Sequence, residues 1–158
     1  MAKILLGFMG AGKSTIARAL SADFLDMDEL IVQKIGMSIQ EYFAQYGEPA
    51  FRKIEAEVLA ECIQQDVVLS TGGGVVLSSQ NRDLLARNPQ NIYLKADFET
   101  LFRRIEEDQK NQRPLYLTKS KADLQEIFEQ RQALYKAVAT QTIDVVGKTP
   151  QEIIEEIQ

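Results

Sequence analysis

The stretch Gly7-Phe8-Met9-Gly10-Ala11-Gly12-Lys13-Ser14 matches the pattern G-x-x-x-x-G-K-S/T at every fixed position. The apolar Ile4-Leu5-Leu6 precedes it, and Thr15-Ile16-Ala17-Arg18-Ala19-Leu20, which reads as helix, follows. Strand, glycine-rich turn and helix in that order form the setting in which such a loop holds phosphate. At average glycine usage, four fixed positions match by chance on the order of once in a few hundred chains of this length. Each position has a chemical reason. The glycines let the backbone wrap the phosphates, amide N–H groups and the helix N-terminus meet the negative charge, and Lys13 reaches the β and γ oxygens. Ser14 is the expected Mg²⁺ ligand. Gly10, Ala11, Gly12, Lys13, Ser14 and Thr15 therefore form the expected nucleotide-binding set. The nucleotide is most simply MgATP, since the chain lacks the N-K-x-D motif that reads guanine.

Working outward, apolar runs of strand length recur at Ile4-Leu5-Leu6, Phe24-Leu25, Val67-Val68-Leu69, Ile92-Tyr93-Leu94 and Ile143 to Val146, with helical sequence between them. That alternation predicts an α/β fold with a parallel sheet covered on both faces. Ser38-Ile39-Gln40-Glu41 and Thr149-Pro150-Gln151-Glu152 are capping boxes, the second with proline at the first helical position. Ile153, Ile154 and Ile157 then give one apolar face to a closing C-terminal helix. Residues 38–64 read as a wholly helical insert. The polar segment 108–121 interrupts two helical segments and reads either as a mobile lid or as an inert surface loop.

Six of the nine glycines fall in two clusters, at positions 7, 10 and 12 and at 72–74. Thr71-Gly72-Gly73-Gly74 follows the third strand at its carboxyl end, where backbone N–H groups and open space suit a bound substrate. A plain tight turn is the alternative. Asp26-Met27-Asp28 follows the second strand at the same edge. Its carboxylates are candidate ligands, and Asp28 can equally cap the helix beginning at Glu29. Arg52 and Arg131 lie in helical sequence, where an ion pair with a nearby glutamate is the simpler account.

Composition narrows the chemistry. The 158 residues are 45% hydrophobic and 26% charged, ordinary for one globular domain. With no histidine and the single cysteine Cys62, intrachain disulfides, common Cys/His zinc sites and histidine-dependent nucleophilic mechanisms are excluded. A formal net charge of −5 argues against a general nucleic-acid or anionic-membrane surface. Small-molecule partners, a cytoplasmic location and a monomer are the expectation.

The glycine-rich loop, Asp-x-Asp, Gly47-Glu48 with Phe51-Arg52-x-x-Glu55, Gly72-Gly73-Gly74, Arg113-Pro114-Leu115 and Arg131-x-x-x-Tyr135 occur together in an order that resembles the shikimate kinase family nearly end to end. The resemblance implies a three-layer P-loop kinase fold with a five-stranded parallel sheet in order 2-3-1-4-5. It implies one kinase domain over 1–158, a helical substrate-binding insert at about 28–64 and a lid at about 108–118. Phosphorylation of the 3-hydroxyl of shikimate by ATP, on the route to chorismate and the aromatic amino acids, is the implied activity. By the same resemblance Asp28, Arg52, Gly73 and Arg131 contact shikimate, and Glu55 orients Arg52. Arg113 closes on the phosphates, Arg104 stacks on adenine, and Asp26 holds magnesium through water. Lys13, Asp28 and Arg113 are the implied catalytic set. Only ten residues separate Thr15 from Asp26, so the first helix or second strand must be short. Another small-molecule kinase of the same fold, for gluconate or a nucleotide, and a non-catalytic ATP-binding module are the competing readings.

Overall fold

Ile4, Leu5 and Leu6 are all fully buried, so both faces of the first strand, β1 (Lys3–Leu6), are covered. That is the burial expected of a central strand in a parallel sheet with helices on each side. The computed structural model describes residues 1–107 and 119–157. The expected lid, with Arg113, lies outside the described residues.

After β1 come α1 (Lys13–Leu20) and β2 (Leu25–Asp26), and then three helices in succession, α2 (Met27–Ile35), α3 (Ile39–Tyr46) and α4 (Glu48–Ile63). β3 (Val68–Ser70) leads through a 3₁₀ turn at Val75–Leu77 into α5 (Ser79–Ala86) and β4 (Asn91–Lys95). α6 (Phe98–Glu107), α7 (Lys121–Val138), β5 (Gln141–Asp144) and α8 (Pro150–Glu156) complete the described chain. All strand pairs are parallel, in the order β2-β3-β1-β4-β5. The order implied by the family resemblance and the helical insert are thus both present. Among the described residues no helix is long and apolar enough to cross a membrane.

The short span between Thr15 and Asp26 is absorbed twice, by an α1 of eight residues and a β2 of two. The fifth strand starts at Gln141, two residues before the apolar run that announced it, and ends at Asp144. Its side chains are half exposed, and backbone pairing from Ile92↔Gln141 to Lys95↔Asp144, rather than side-chain burial, defines it. Thr149 and Glu152 form the expected reciprocal box, at 3.1 and 3.2 Å. At Ser38 only half of the box forms. Its hydroxyl accepts from Glu41 N at 3.0 Å, while the Glu41 carboxylate takes the serine hydroxyl instead of the backbone.

The amino end of the sheet is tied by two buried asparagines. Asn91 Nδ2 donates to the carbonyls of Leu85 at 2.7 Å and Val138 at 2.9 Å, the ends of α5 and α7. Asn88 Nδ2 donates to Asn91 Oδ1 at 2.8 Å and to the Ala2 carbonyl at 3.0 Å. Removing Asn91 strands several buried polar groups, each costing about 1–3 kcal/mol when unpaired. Asn91→Ala is therefore expected to lower unfolding free energy by about 2–4 kcal/mol in urea titrations. Turnover per folded molecule should be unchanged, because the site lies at the opposite end of the strands. A loss below about 0.5 kcal/mol would refute the role of this hub.

Candidate active site

In a parallel sheet every strand delivers the chain to the same edge, so the loops after β1, β2 and β3 meet. The glycine-rich loop after β1 enters α1 through Gly12, whose φ of 90° is left-handed and which offers no side-chain cap. The first N–H groups of α1 are left to an anion, as a phosphate site requires. Lys13 Nζ arches back over the loop and donates to the carbonyls of Gly7 at 2.7 Å and Phe8 at 3.1 Å. Thr15 is exposed at the head of the same helix. Gly10 has φ 85°, and a Cβ on it would lie 3.0 Å from the Leu101 carbonyl and 3.3 Å from Ile105 Cγ1. The loop thus lies directly against α6. Arg104 Nη1, also on α6, donates to the Gly10 carbonyl at 3.2 Å, which sets that arginine beside the loop.

Asp26 ends β2 and corrects one reading of the sequence. The cap of α2 is Asp26, not Asp28: Asp26 Oδ1 accepts from Asp28 N at 3.0 Å and Glu29 N at 3.3 Å. Its other oxygen accepts from Ser14 Oγ at 3.2 Å, and Ser14 Oγ lies 3.4 Å from Ser70 Oγ. Ser14, Asp26 and Ser70 form a set of hard oxygen donors at the phosphate loop. No group of three or more carboxylate, thiol or imidazole ligands occurs among the described residues. This donor set fits magnesium, which binds through few protein oxygens and is completed by phosphate and water.

The triple glycine has a use beyond open space. A Cβ on Gly72 would stand 2.9 Å from Asp28 Oδ1, and one on Gly74 would stand 2.6 and 2.8 Å from the two terminal nitrogens of Arg52. At Gly73 it would lie 3.5 Å from Arg131 Nη1 and 3.6 Å from both Met9 N and Tyr135 Oη. Gly72 and Gly74 therefore each admit one charged side chain, from α2 and α4, against the main chain, while Arg131 of α7 lies within ordinary contact range of Gly73. The tight-turn reading does not account for this convergence.

Arg52 is held by several partners at once. Its Nη1 donates to both Glu55 oxygens at 3.0 Å and to the Gly74 carbonyl at 3.1 Å, and Glu48 lies 3.7 Å from Nε. Glu55 is almost fully buried. Burial pushes its carboxyl above the usual range, while the Arg52 charge and hydrogen bond pull it back. Arg131 is 8% exposed, stands over the Phe8 ring at 5.9 Å, and has no hydrogen-bond partner on Nε. Burial lowers the pKa of this guanidinium, and the nearby Arg52 charge lowers it further. Tyr135, one turn beyond Arg131 and stacked near Tyr93, donates its hydroxyl to the Gly73 carbonyl. Burial raises its pKa well above the tyrosine range, so the hydroxyl stays protonated as a donor.

All the expected site residues that fall among the described ones converge on the carboxyl edge. Sequence reasoning missed Ser70 and Asn81, which donates to Glu55. It also met Tyr135 only as a motif letter. The Arg131/Tyr135 spacing of one helical turn was the available signal for the last; nothing local marks the other two.

A phosphate loop on a 2-3-1-4-5 parallel sheet, facing two guanidinium groups across a glycine run, defines a P-loop kinase of small molecules. The shikimate kinase family model matches residues 9–158. A shikimate kinase of Streptococcus gordonii is 56% identical over 159 residues, covering 100% of this chain and 99% of the relative. One from Lactococcus lactis is 47% identical, with 100% and 96% covered. Among solved structures, the shikimate kinase of Acinetobacter baumannii in complex with shikimate superposes with a TM-score of 0.89 at 32% identity, covering 98% of this chain and 89% of that one. The chain belongs to the shikimate kinase family. A deoxyadenosine kinase from M. mycoides, at 13% identity and a TM-score of 0.62, shares the fold.

The Gly10 contact can be isolated from its backbone conformation. Gly147 has φ 73° with nothing within 4 Å of an added Cβ, so Gly147→Ala carries only the left-handed penalty, about 1–2 kcal/mol. Gly10→Ala carries that penalty plus displacement of α6, and is expected to lose about 1 kcal/mol more. Parallel urea titrations of the two variants measure the difference. Equal losses would show that α6 does not press on the loop.

Proposed function

We propose that this chain transfers the γ-phosphoryl group of ATP to the 3-hydroxyl of shikimate, giving ADP and shikimate 3-phosphate on the route to chorismate. The observation that carries this reading is the pair of guanidiniums at the glycine run. Arg131 is buried with an unpartnered Nε, and its neighbour Arg52 repels it. A carboxylate lying between them relieves both the repulsion and the unmet donors. Asp28, exposed opposite Gly72, is suited to the acceptor's hydroxyl groups. Family membership then favours shikimate over other hydroxy acids.

The chemistry asks for positioning and charge neutralisation more than for covalent help. The 3-oxygen forms a bond to the γ-phosphorus as the bond to the leaving β-phosphate oxygen breaks. Asp28 holds the hydroxyl in line and accepts its proton. Lys13 and Arg113 offset the charge on the transferring oxygens, and Arg104 borders the nucleotide. Magnesium, when bound, shields the phosphate charge; Ser14 would ligate it and Asp26 would hold it through water. Residues 28–64 form the acid-binding part of a single kinase domain spanning 1–158. The lone buried Cys62 fits a reducing cytoplasm.

Three measurements test the reading. Lys13→Ala should remain folded and lose roughly 10² or more in kcat under saturating MgATP, since its contact strengthens in the transition state. Turnover within tenfold of the parent would discard that role. Second, kcat/KM is to be compared for shikimate, shikimate methyl ester, gluconate and nucleoside monophosphates in a coupled ADP-release assay. The ester removes the charge that pairs the buried guanidiniums, a loss of about 2–5 kcal/mol, and should be a very poor substrate. Arg52→Lys should raise the KM for shikimate while the KM for ATP stays nearly constant, because an ammonium cannot make a forked contact. If gluconate or a monophosphate outperforms shikimate, the acid-site reading is wrong.

A further inference from the structure

Asn81 on α5 is fully buried and has no part in the chemistry described so far. Its Nδ2 donates to Glu55 Oε1 at 3.1 Å and to the Val75 carbonyl at 3.0 Å. Both neighbours are acceptors, so the nitrogen, not the oxygen, must face them. Its Oδ1 is buried without a partner. An unmet buried acceptor is unfavourable, and an apolar side chain of similar size would avoid it. Retaining an amide at this position therefore calls for a use of its two donors.

We propose that Asn81 is a positioning residue for the acid-reading guanidinium, clamping the Glu55 carboxylate, and through it Arg52, to the glycine run. The hydrogen bonds close into a ring. Arg52 Nη1 donates to both Glu55 oxygens and to the Gly74 carbonyl, Asn81 donates to Glu55, and the same Asn81 nitrogen donates to the carbonyl of Val75, the residue after Gly74. Three separate segments, α4, the glycine run and α5, are joined by this one circuit. Without Asn81, Glu55 keeps only the partner it is meant to orient, and the Arg52–Glu55 pair is free to swing away from Gly74.

The circuit also governs the charge of Glu55. The groups that face it are Arg52 on its own helix, Asp28 from α2 and Asn81 from α5. Burial and Asp28 favour the protonated form; Arg52 and Asn81 favour the carboxylate. Removing the Asn81 donor therefore moves the titration of Glu55 upward, and a protonated Glu55 releases Arg52. The acid limb of kcat/KM for the acid substrate reports the free enzyme and should carry that shift.

This role rests on Arg52 reading the carboxylate of shikimate, and the experiment separates the two claims. Asn81→Leu keeps the branched outline of the side chain and removes both donors. Its KM for shikimate should rise about tenfold or more, as for loss of a hydrogen bond to a charged group, with the KM for ATP within about twofold of the parent. The acid limb of kcat/KM should move up by about half a pH unit or more. A merely structural asparagine would lower the melting temperature and leave the acid limb where it was. If Asn81→Leu does not fold, Asn81→Ser, too short to reach Glu55, is read by the same two criteria. A parent that prefers shikimate to its methyl ester, together with an unmoved limb and an unmoved KM in the variant that folds, overturns this role alone. A parent indifferent to the ester overturns the Arg52 reading and this role with it.

Discussion

The parallel pairing of β1 with β3 is the constraint from which the site follows. Lys3↔Val68, Ile4↔Leu69 and Leu5↔Ser70 are in register, and Thr71 closes the ladder with its hydroxyl donating to the Leu5 carbonyl at 2.7 Å. Because the strands run the same way, two glycine clusters some sixty residues apart in sequence leave the sheet side by side. A Cβ on Gly73 would come within 3.6 Å of Met9 N. Phosphate loop and glycine run are thus built on one backbone junction.

Around that junction the charges are arranged in opposition. Two buried or half-buried cations, Arg52 and Arg131, share a neighbourhood with Glu55, which neutralises only the first. A buried cation left without full compensation costs stability. Asp28 stays on the solvent side, where its carboxylate keeps much of its hydration. The difference between Glu55 and Asp28 is environment, not chemistry, since both are carboxylates on helices of the same insert.

Much of this was legible in the amino-acid sequence, for identifiable reasons. The phosphate loop is local: its residues are contiguous and its glycines are demanded by backbone conformation, so eight letters suffice. The alternation of apolar runs with helical sequence gave the layers, and the sheet order came through the family resemblance rather than through the pattern itself. What stayed hidden depends on approach between distant segments. That Gly72 and Gly74 each admit a different charged side chain requires knowing where α2 and α4 pass. Ser70 and Asn81 are ordinary polar residues until folding buries them beside Ser14 and Glu55. That the cap is Asp26, and not the alternative Asp28, stays open in sequence because a helix can start at either residue until β2 is known to end at Asp26. The early start of β5 escaped for the converse reason: backbone pairing leaves no trace in side-chain polarity.

The brevity of β2 and the polar face of β5 bear on how these molecules behave in a crowded solution. Both are the outer strands of the sheet, and an outer strand exposes unpaired amides and carbonyls that invite a foreign strand to add on. One edge spans two residues, too few to template such an addition. The other carries Gln141, Thr142 and Asp144 around a single buried isoleucine, so a flat apolar strip is missing where an intruding strand would need one. The shortened second strand, at first sight only a truncation, thereby also protects the sheet against polymerisation through its rim.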